Sequence, residues 1–255
     1  EDQIMLSLGS SPAVSGLPES LELGRATTRA YLEGVFSFYR CVFDEGDATV
    51  IQAQMFARPK SPGDAQLFVR DARSGKVVSS MSLLAQTWTY EGVPFGVAEV
   101  GVVGTREPYR RRGLVREQFA YYHRLALRAG SLLSAIQGIG YFYRQFGYQY
   151  ALPMGGGCRL RAEQVPDLAE GEGEPYLLRP AGDGDAPVLQ RLYGQLTQGF
   201  CVASLLTEEV WRYQDGLAET NSDRQMTYLL EADRPVGFMR LAANELGHKG
   251  VRITA

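Results

Sequence analysis

Cysteine, histidine and long apolar runs are scarce in this chain, and each scarcity removes a class of function. The 255 residues hold three cysteines, Cys41, Cys158 and Cys201, far apart and without a C-x-x-C pair. Neither a disulfide framework nor a zinc site is expected, and a reducing cytoplasm fits such usage best. His123 falls off the main apolar stripe of its helix and reads as a surface residue, while His248, between Gly247 and Lys249, reads as a turn residue. Neither takes a catalytic role. No apolar stretch approaches the ~20 residues that span a bilayer, and "EDQIMLSLGSSPAVSGLPES" lacks the basic start and long apolar core of a signal peptide. A soluble protein without a membrane partner is expected. An excess of positive charge is missing too: 26 Lys and Arg against 29 Asp and Glu leave a net charge of -3. That balance argues against nucleic acid as a partner bound through counterion release. Any anion recognition must be local.

What is present is a mixed α/β order. A length of 255 residues suits one large domain or two modest ones. A helix is expected within "RATTRAYLEGVFSFYRCVF", 25 to 43. "LFVRDARSGKVVSSMSLLAQTWTY" gives two β-rich runs broken at Ser74 and Gly75, the pattern of an antiparallel hairpin. The valine-rich "GVAEVGVV", 96 to 103, follows as a strand covered on both faces. From Gly113 the apolar positions Val115, Phe119, Tyr122, Ala126 and Ala129 advance by four and three, and Gly130 stops the helix. "SLLSAI", 131 to 136, is a buried strand, and "YFYRQFGY" a short helix ended by Gly147. Strand, loop, helix and parallel strand make a crossover unit, whose loop lies where such sheets bind ligands.

The segment 162 to 175 is acidic, rich in Gly and Pro, and reads as a linker. It divides a first domain, 20–161, from a second, 176–255. There the plan starts again: "LLRPAGDGDAPVLQRLYGQL" reads as strand then helix, and "MTYLLEADRPVGFMRLAANELGHKGVRITA" as hairpin, turn and the start of the next strand. This is an internal repeat, degenerate and partial, which stops where the first copy proceeds to its arginine loop. One complete site per chain is the expectation.

That loop is "PYRRRGLVREQF", 108 to 119. Five arginines, Arg106, Arg110, Arg111, Arg112 and Arg116, fall within eleven residues. They can form a solvated face, a nucleic-acid patch or one wall of a phosphate site. Their position favours the last. Where a chain leaves a buried strand and enters a helix at a glycine, first-turn N–H groups lack partners and the helix dipole favours an anion. Guanidinium groups add charge-assisted hydrogen bonds.

"VGVVGTREPYRRRGLV" followed by "YFYRQFGY" resembles the acetyl-CoA-binding core of the GNAT superfamily of N-acetyltransferases. The Q/R-x-x-G-x-G/A loop of that family is matched by Arg110, Gly113 and Leu114, with Val115 where Gly or Ala is usual. R-R-R-G-L, "FYRQFGY" and the second repeat look most like the tandem acetyltransferases of the enhanced intracellular survival type. The resemblance implies a mixed sheet flanked by helices, acetyl-CoA as co-substrate without a metal, and a small-molecule or peptide amine as acceptor; a homo-oligomer stays open. It implies that the backbone at Val102 and Val103 meets pantetheine and that Arg111, Arg112, Gly113, Leu114, Val115 and Arg116 hold the pyrophosphate. Tyr143 falls at the general acid, and Gly138 where a missing side chain leaves room for the thioester arm. In the type named, the base is the terminal carboxylate of a longer chain, so none is carried over. Glu99, an acid in an apolar strand, is the best side-chain candidate for a base, with pairing to a nearby Arg as the alternative. A non-catalytic acetyl-CoA-binding module is the rival reading. "WTY", 88 to 90, and Phe200 with Cys201 are further candidates for a substrate cleft, against a plain core role.

Overall fold

A computed structural model describes residues 3–7, 16–153, 158–161, 164, 166–218, 221, 224–242 and 250–254. His248 lies outside them. The chain forms two compact units: residues 1–56, 60–154 and 201–205, and residues 57–59, 155–200 and 206–255.

The first unit opens with β1 (Gln3–Ser7) and β2 (Leu21–Arg25). Helix α1 (Arg29–Val42) begins at Thr28, whose hydroxyl accepts the Tyr31 N–H, and sends Val35, Phe38 and Tyr39 inward. A second helix, α2 (Glu45–Phe56), follows at once. The sequence reading left it out. Only Ala48, Ile51 and Met55 mark its inner face, a stripe too thin to stand out among its neighbours. Strands β3 (Ala65–Asp71), β4 (Val77–Tyr90) and β5 (Val93–Thr105) form an antiparallel meander that turns where Ser74 and Gly75 predict. Helix α3 (Leu114–Arg128) then crosses to β6 (Ser131–Gln137), which pairs parallel with β5. The expected crossover unit is present.

A short α4 (Gly140–Tyr143) and a 3-10 turn end at Gly147, left-handed at φ 88°, before β7 (Tyr148–Pro153). β1 enters between β6 and β7, antiparallel to both. The main path through the mixed sheet therefore runs β2-β3-β4-β5-β6-β1-β7. A short β10 (Val202–Ser204) pairs antiparallel with Trp88 to Tyr90 at the end of β4.

In the second unit β9 (Leu177–Pro180) leads to α5 (Ala186–Thr197), α6 (Glu208–Asp215), β11 (Gln225–Glu231), β12 (Pro235–Ala242) and β13 (Gly250–Thr254). Its sheet runs β8-β13-β12-β11-β9, antiparallel throughout, with β8 at Cys158–Arg161. β8 thus pairs within this sheet, although the sequence boundary assigned residues 158–161 to the first domain. Leu189, Leu192, Trp211 and Leu229 make its core.

The core under α3 is aromatic. Phe119 is 1% exposed, stacks on Phe146 at 4.1 Å and meets Tyr122, Tyr143 and Tyr148 edge to face. Below it the Tyr122 hydroxyl donates to the Ala98 carbonyl at 2.7 Å, and Ser134 links the Tyr122 and Tyr148 hydroxyls at 2.9 and 2.5 Å. These bonds remove the cost of burying three polar groups beneath the crossover. His123, expected at the surface, is half-buried instead, its ring 5.6 Å from Phe119 and 6.1 Å from Tyr148. The inner face of α3 widens because large rings reach sideways, and burial lowers the His123 pKa. Phe119→Ala should cost about 3–5 kcal/mol of stability, the usual range for emptying a packed aromatic site. A denaturant melt that shifts by less than 1 kcal/mol would contradict this packing.

Candidate functional site

The site begins where β5 loses a partner. β5 pairs with β6 from Gly96 to Val100, and the last pair joins Val100 to Ile136. Gln137 pairs only with Ile4 of β1, and the chain bends away at Gly138. From Gly101 to Thr105, β5 keeps β4 on one side and an open edge on the other. Unpaired backbone N–H and C=O groups along such an edge require partners. On the paired side, Met81 faces Val103 and Leu83 faces Val100, so Gly101 and Val102 together oppose Ser82. Two residues against one make a β-bulge, which re-aims the strand locally.

The open edge runs into a cavity of about 470 Å³ lined by Thr105, Tyr109, Arg110, Arg111, Gly113, Leu114, Val115, Arg116, Phe142, Gln145 and Phe146. One wall is the loop that enters α3. The segment between strand and arginines makes a 3-10 turn, Glu107–Tyr109 with Pro108 inside it, tied down by Tyr109, whose hydroxyl donates to Asp71 at 2.8 Å. That bond raises the Tyr109 pKa and, with the N–H groups of Ser74 and Arg73, lowers that of Asp71. Arg111 then adopts φ 61° and Gly113 φ 77°. An arginine in the left-handed region is strained by about 1–3 kcal/mol, a cost found most often at binding sites. Gly113 stands as the N-cap of α3 and has no side chain with which to cover the free N–H groups of the first turn.

Electrostatics concentrate here. Among the described residues Arg110, Arg111, Arg112 and Arg116 have no ion-pair partner, whereas Arg29, Arg70, Arg179 and Arg212 each pair with an acid. Arg116 donates to the Gln145 carboxamide at 3.3 Å, which links the arginine wall to the turn carrying Phe142 and Phe146. The cavity thus combines free helix N–H groups, unpaired guanidinium groups and an aromatic wall. Such a set suits an anion joined to an apolar or planar body.

Five of the expected residues meet in the cavity: Arg111, Gly113, Leu114, Val115 and Arg116. Arg112 does not line it and sits over the Tyr109 ring, 5.1 Å from its centroid. Val102 and Val103 lie farther back along the open edge. At Gly138 a Cβ would come within 2.6 Å of the Tyr143 ring, so the missing side chain leaves the space that this ring occupies. Tyr143 is half-buried against Phe119, Phe142 and Tyr148, and burial raises its pKa. Glu99 accepts a hydrogen bond from Gln86, whose oxygen accepts from the Trp88 indole at 2.8 Å. This carboxamide donor is one of the partners of Glu99. The sequence analysis assigned no site role to Thr105 and Tyr109, which sit in the segment inserted before the arginines, or to Phe142 and Phe146. Their signal was the spacing of Phe142, Gln145 and Phe146, which places three side chains on one face of a short helical turn.

A family model described as an acetyltransferase (GNAT) domain matches residues 24–151, half of the chain. No curated protein matches. Solved structures share the fold at low identity. A conserved protein of unknown function from Enterococcus faecalis V583, described as a probable N-acyltransferase, is 12% identical with a TM-score of 0.66, over 87% of this chain and 55% of that one. Saccharomyces cerevisiae N-myristoyltransferase with bound myristoyl-CoA is 13% identical at 0.62, over 97% and 69%. A GCN5-related N-acetyltransferase from Kribbella flavida is 20% identical at 0.60, over 88% and 54%. The chain spans about half the length of the Enterococcus and Kribbella proteins.

The cavity makes its own test. Inorganic pyrophosphate should raise the melting temperature, since a ligand held only by the folded state stabilises it. Replacing Arg111 and Arg116 together by Ala should weaken pyrophosphate binding by roughly tenfold or more, while Arg112→Ala keeps most of it. Equal losses from all three arginines would show a diffuse charged surface.

Proposed function

Because the chain belongs to the acetyltransferase (GNAT) domain family, we propose that it transfers an acetyl group from acetyl-CoA to a primary amine of a small molecule or peptide. One observation carries the reading: the unpaired edge of β5, Gly101 to Thr105, leads directly into the arginine-lined cavity. The pyrophosphate would rest on the N–H groups of Leu114 to Arg116 with Arg111 and Arg116, and pantetheine would lie along Val102 and Val103. The aromatic wall suits the rest of the nucleotide.

The chemistry follows from the groups nearby. Glu99 takes a proton from the incoming ammonium. The amine nitrogen attacks the thioester carbonyl, a C–N bond forms, and backbone N–H groups near the bulge stabilise the oxyanion. As the C–S bond breaks, the thiolate takes the Tyr143 proton, and the nitrogen sheds its second proton, which restores the phenol, to leave a neutral amide. Burial keeps that phenol protonated at neutral pH and above, as an acid requires.

The second unit supports the tandem reading. Its order β9-α5-α6-β11-β12-β13 repeats β2-α1-α2-β3-β4-β5, and in each the four strands neighbour one another in that order with antiparallel pairing. We read it as a partial second copy, in line with the enhanced intracellular survival type, and place the reaction in the cytoplasm on the cysteine usage. No helix among the described residues is long and apolar enough to cross a membrane, and none of their acidic, His or Cys side chains form a group suited to a metal.

A panel of amines offered with acetyl-CoA, followed by release of free thiol, tests the proposal. Tyr143→Phe should lower turnover by about 10²-fold with the KM for acetyl-CoA within a few-fold, because the loss falls on the transition state. Acetyl-CoA binding with no transfer to any amine would favour a binding module over an enzyme. Turnover of Tyr143→Phe near wild type would remove Tyr143 as the acid.

A further inference from the structure

The sheet face that α1 and α2 cover carries more polar groups than a core needs. Gln66 on β3, with Ser80 and Ser82 on β4, is buried there beside Tyr39 of α1, which is wholly inaccessible. Apolar side chains of similar size would fill this space without the cost of burying an amide and three hydroxyls. Each group is bonded instead. Gln66 donates to the Tyr39 hydroxyl at 3.0 Å and to Ser80 at 2.7 Å, and accepts from Ser82 at 2.8 Å. Ser80 donates onward to the Leu67 carbonyl.

Through Tyr39 the network reaches β5. Tyr39 donates to the Val102 carbonyl at 3.0 Å. Val102 is one of the two bulge residues, on the stretch of β5 that β6 has left. The other, Gly101, lies so close to Ser82 that a Cβ would come within 3.0 Å of the serine Cβ. The same set of side chains therefore grips both residues of the bulge from beneath. Burial pushes the Tyr39 pKa up to about 12, so the hydroxyl remains a donor at any pH at which the protein works.

We infer that Tyr39, seated by Gln66, Ser80 and Ser82, is a positioning residue that holds the Gly101–Val102 bulge in the geometry in which the open edge of β5 receives the pantetheine arm of an acyl-coenzyme A. The inference rests on the acyl-coenzyme A reading above. Tyr122 supplies its natural control. It also is a buried phenol donating to a β5 carbonyl, at 2.7 Å, but that carbonyl belongs to Ala98, where β5 is still paired with Ser134 of β6.

Calorimetry on the whole chain decides it with two ligands: coenzyme A, and its 3′-phospho-ADP portion, which lacks pantetheine and needs only the arginine cavity. Wild type should bind coenzyme A more tightly than the portion. Tyr39→Phe should weaken coenzyme A roughly tenfold and the portion less than twofold, the loss expected of one buried hydrogen bond acting on the edge alone. Ser82→Ala should move the ratio the same way by less, and carries the comparison should Tyr39→Phe fail to fold. Tyr122→Phe should lower the melting temperature as much as Tyr39→Phe and leave the ratio untouched. An unchanged ratio in the Tyr39 and Ser82 variants, or an equal collapse in Tyr122→Phe, overturns the inference while the acyl-coenzyme A reading stands. Failure of wild type to bind either ligand overturns both.

Discussion

The backbone hydrogen bonds that β5 lacks beyond Val100 govern the rest of the first unit. A strand in the middle of a sheet ordinarily satisfies both edges, and five residues without a strand on one side leave backbone groups that other partners must meet, as Tyr39 meets the Val102 carbonyl. Everything around them keeps the gap open. β6 turns off at Gly138, where the Tyr143 ring occupies the place a side chain would take. The bulge at Gly101 and Val102 twists the bare edge, and the Tyr39 network beneath it keeps that twist from relaxing. The arginine cavity stands at the end of the same edge.

Charge is handled unevenly across the chain, and the unevenness has meaning. Several arginines elsewhere have an acid beside them: Arg179 holds Asp185 and Glu231 at 2.7 and 2.9 Å, and Arg70 holds Glu22. The four arginines around α3 are given no such partner among the described residues. In a chain of net charge -3 they form a local positive field, strengthened by the helix dipole, that draws anions to one mouth without making the whole surface basic.

Local signals carried the sequence reading a long way. The four-and-three advance from Val115 to Ala126 placed α3, Gly113 and Gly147 placed the turns, and the valine run placed β5. What escaped it was set by distance in the chain. Nothing in "QIMLS" tells that β1 slips between β6 and β7, and nothing in "VAS" tells that β10 joins the end of β4, because pairing depends on strands more than a hundred residues away. Helix α2 escaped because its buried side is three small or slender residues. Within the site the loop was legible from its glycine and arginines. The choice of Arg111 and Arg116 over Arg112 was not, since it turns on the left-handed Arg111 and on the Tyr109 ring that draws Arg112 aside.

β10 has a bearing on how the protein is made. Thr89 and Ala203, which share a hydrogen bond, are 114 residues apart. On a ribosome adding about 5–20 residues each second, the tip of β4 waits several seconds or more for the strand that covers it. During that interval Trp88 to Tyr90 present a bare, apolar edge to the cell, the sort of surface on which nascent chains stick to one another. This exposure outlasts the translation of the arginine cavity and ends only when the residues of β10 have followed.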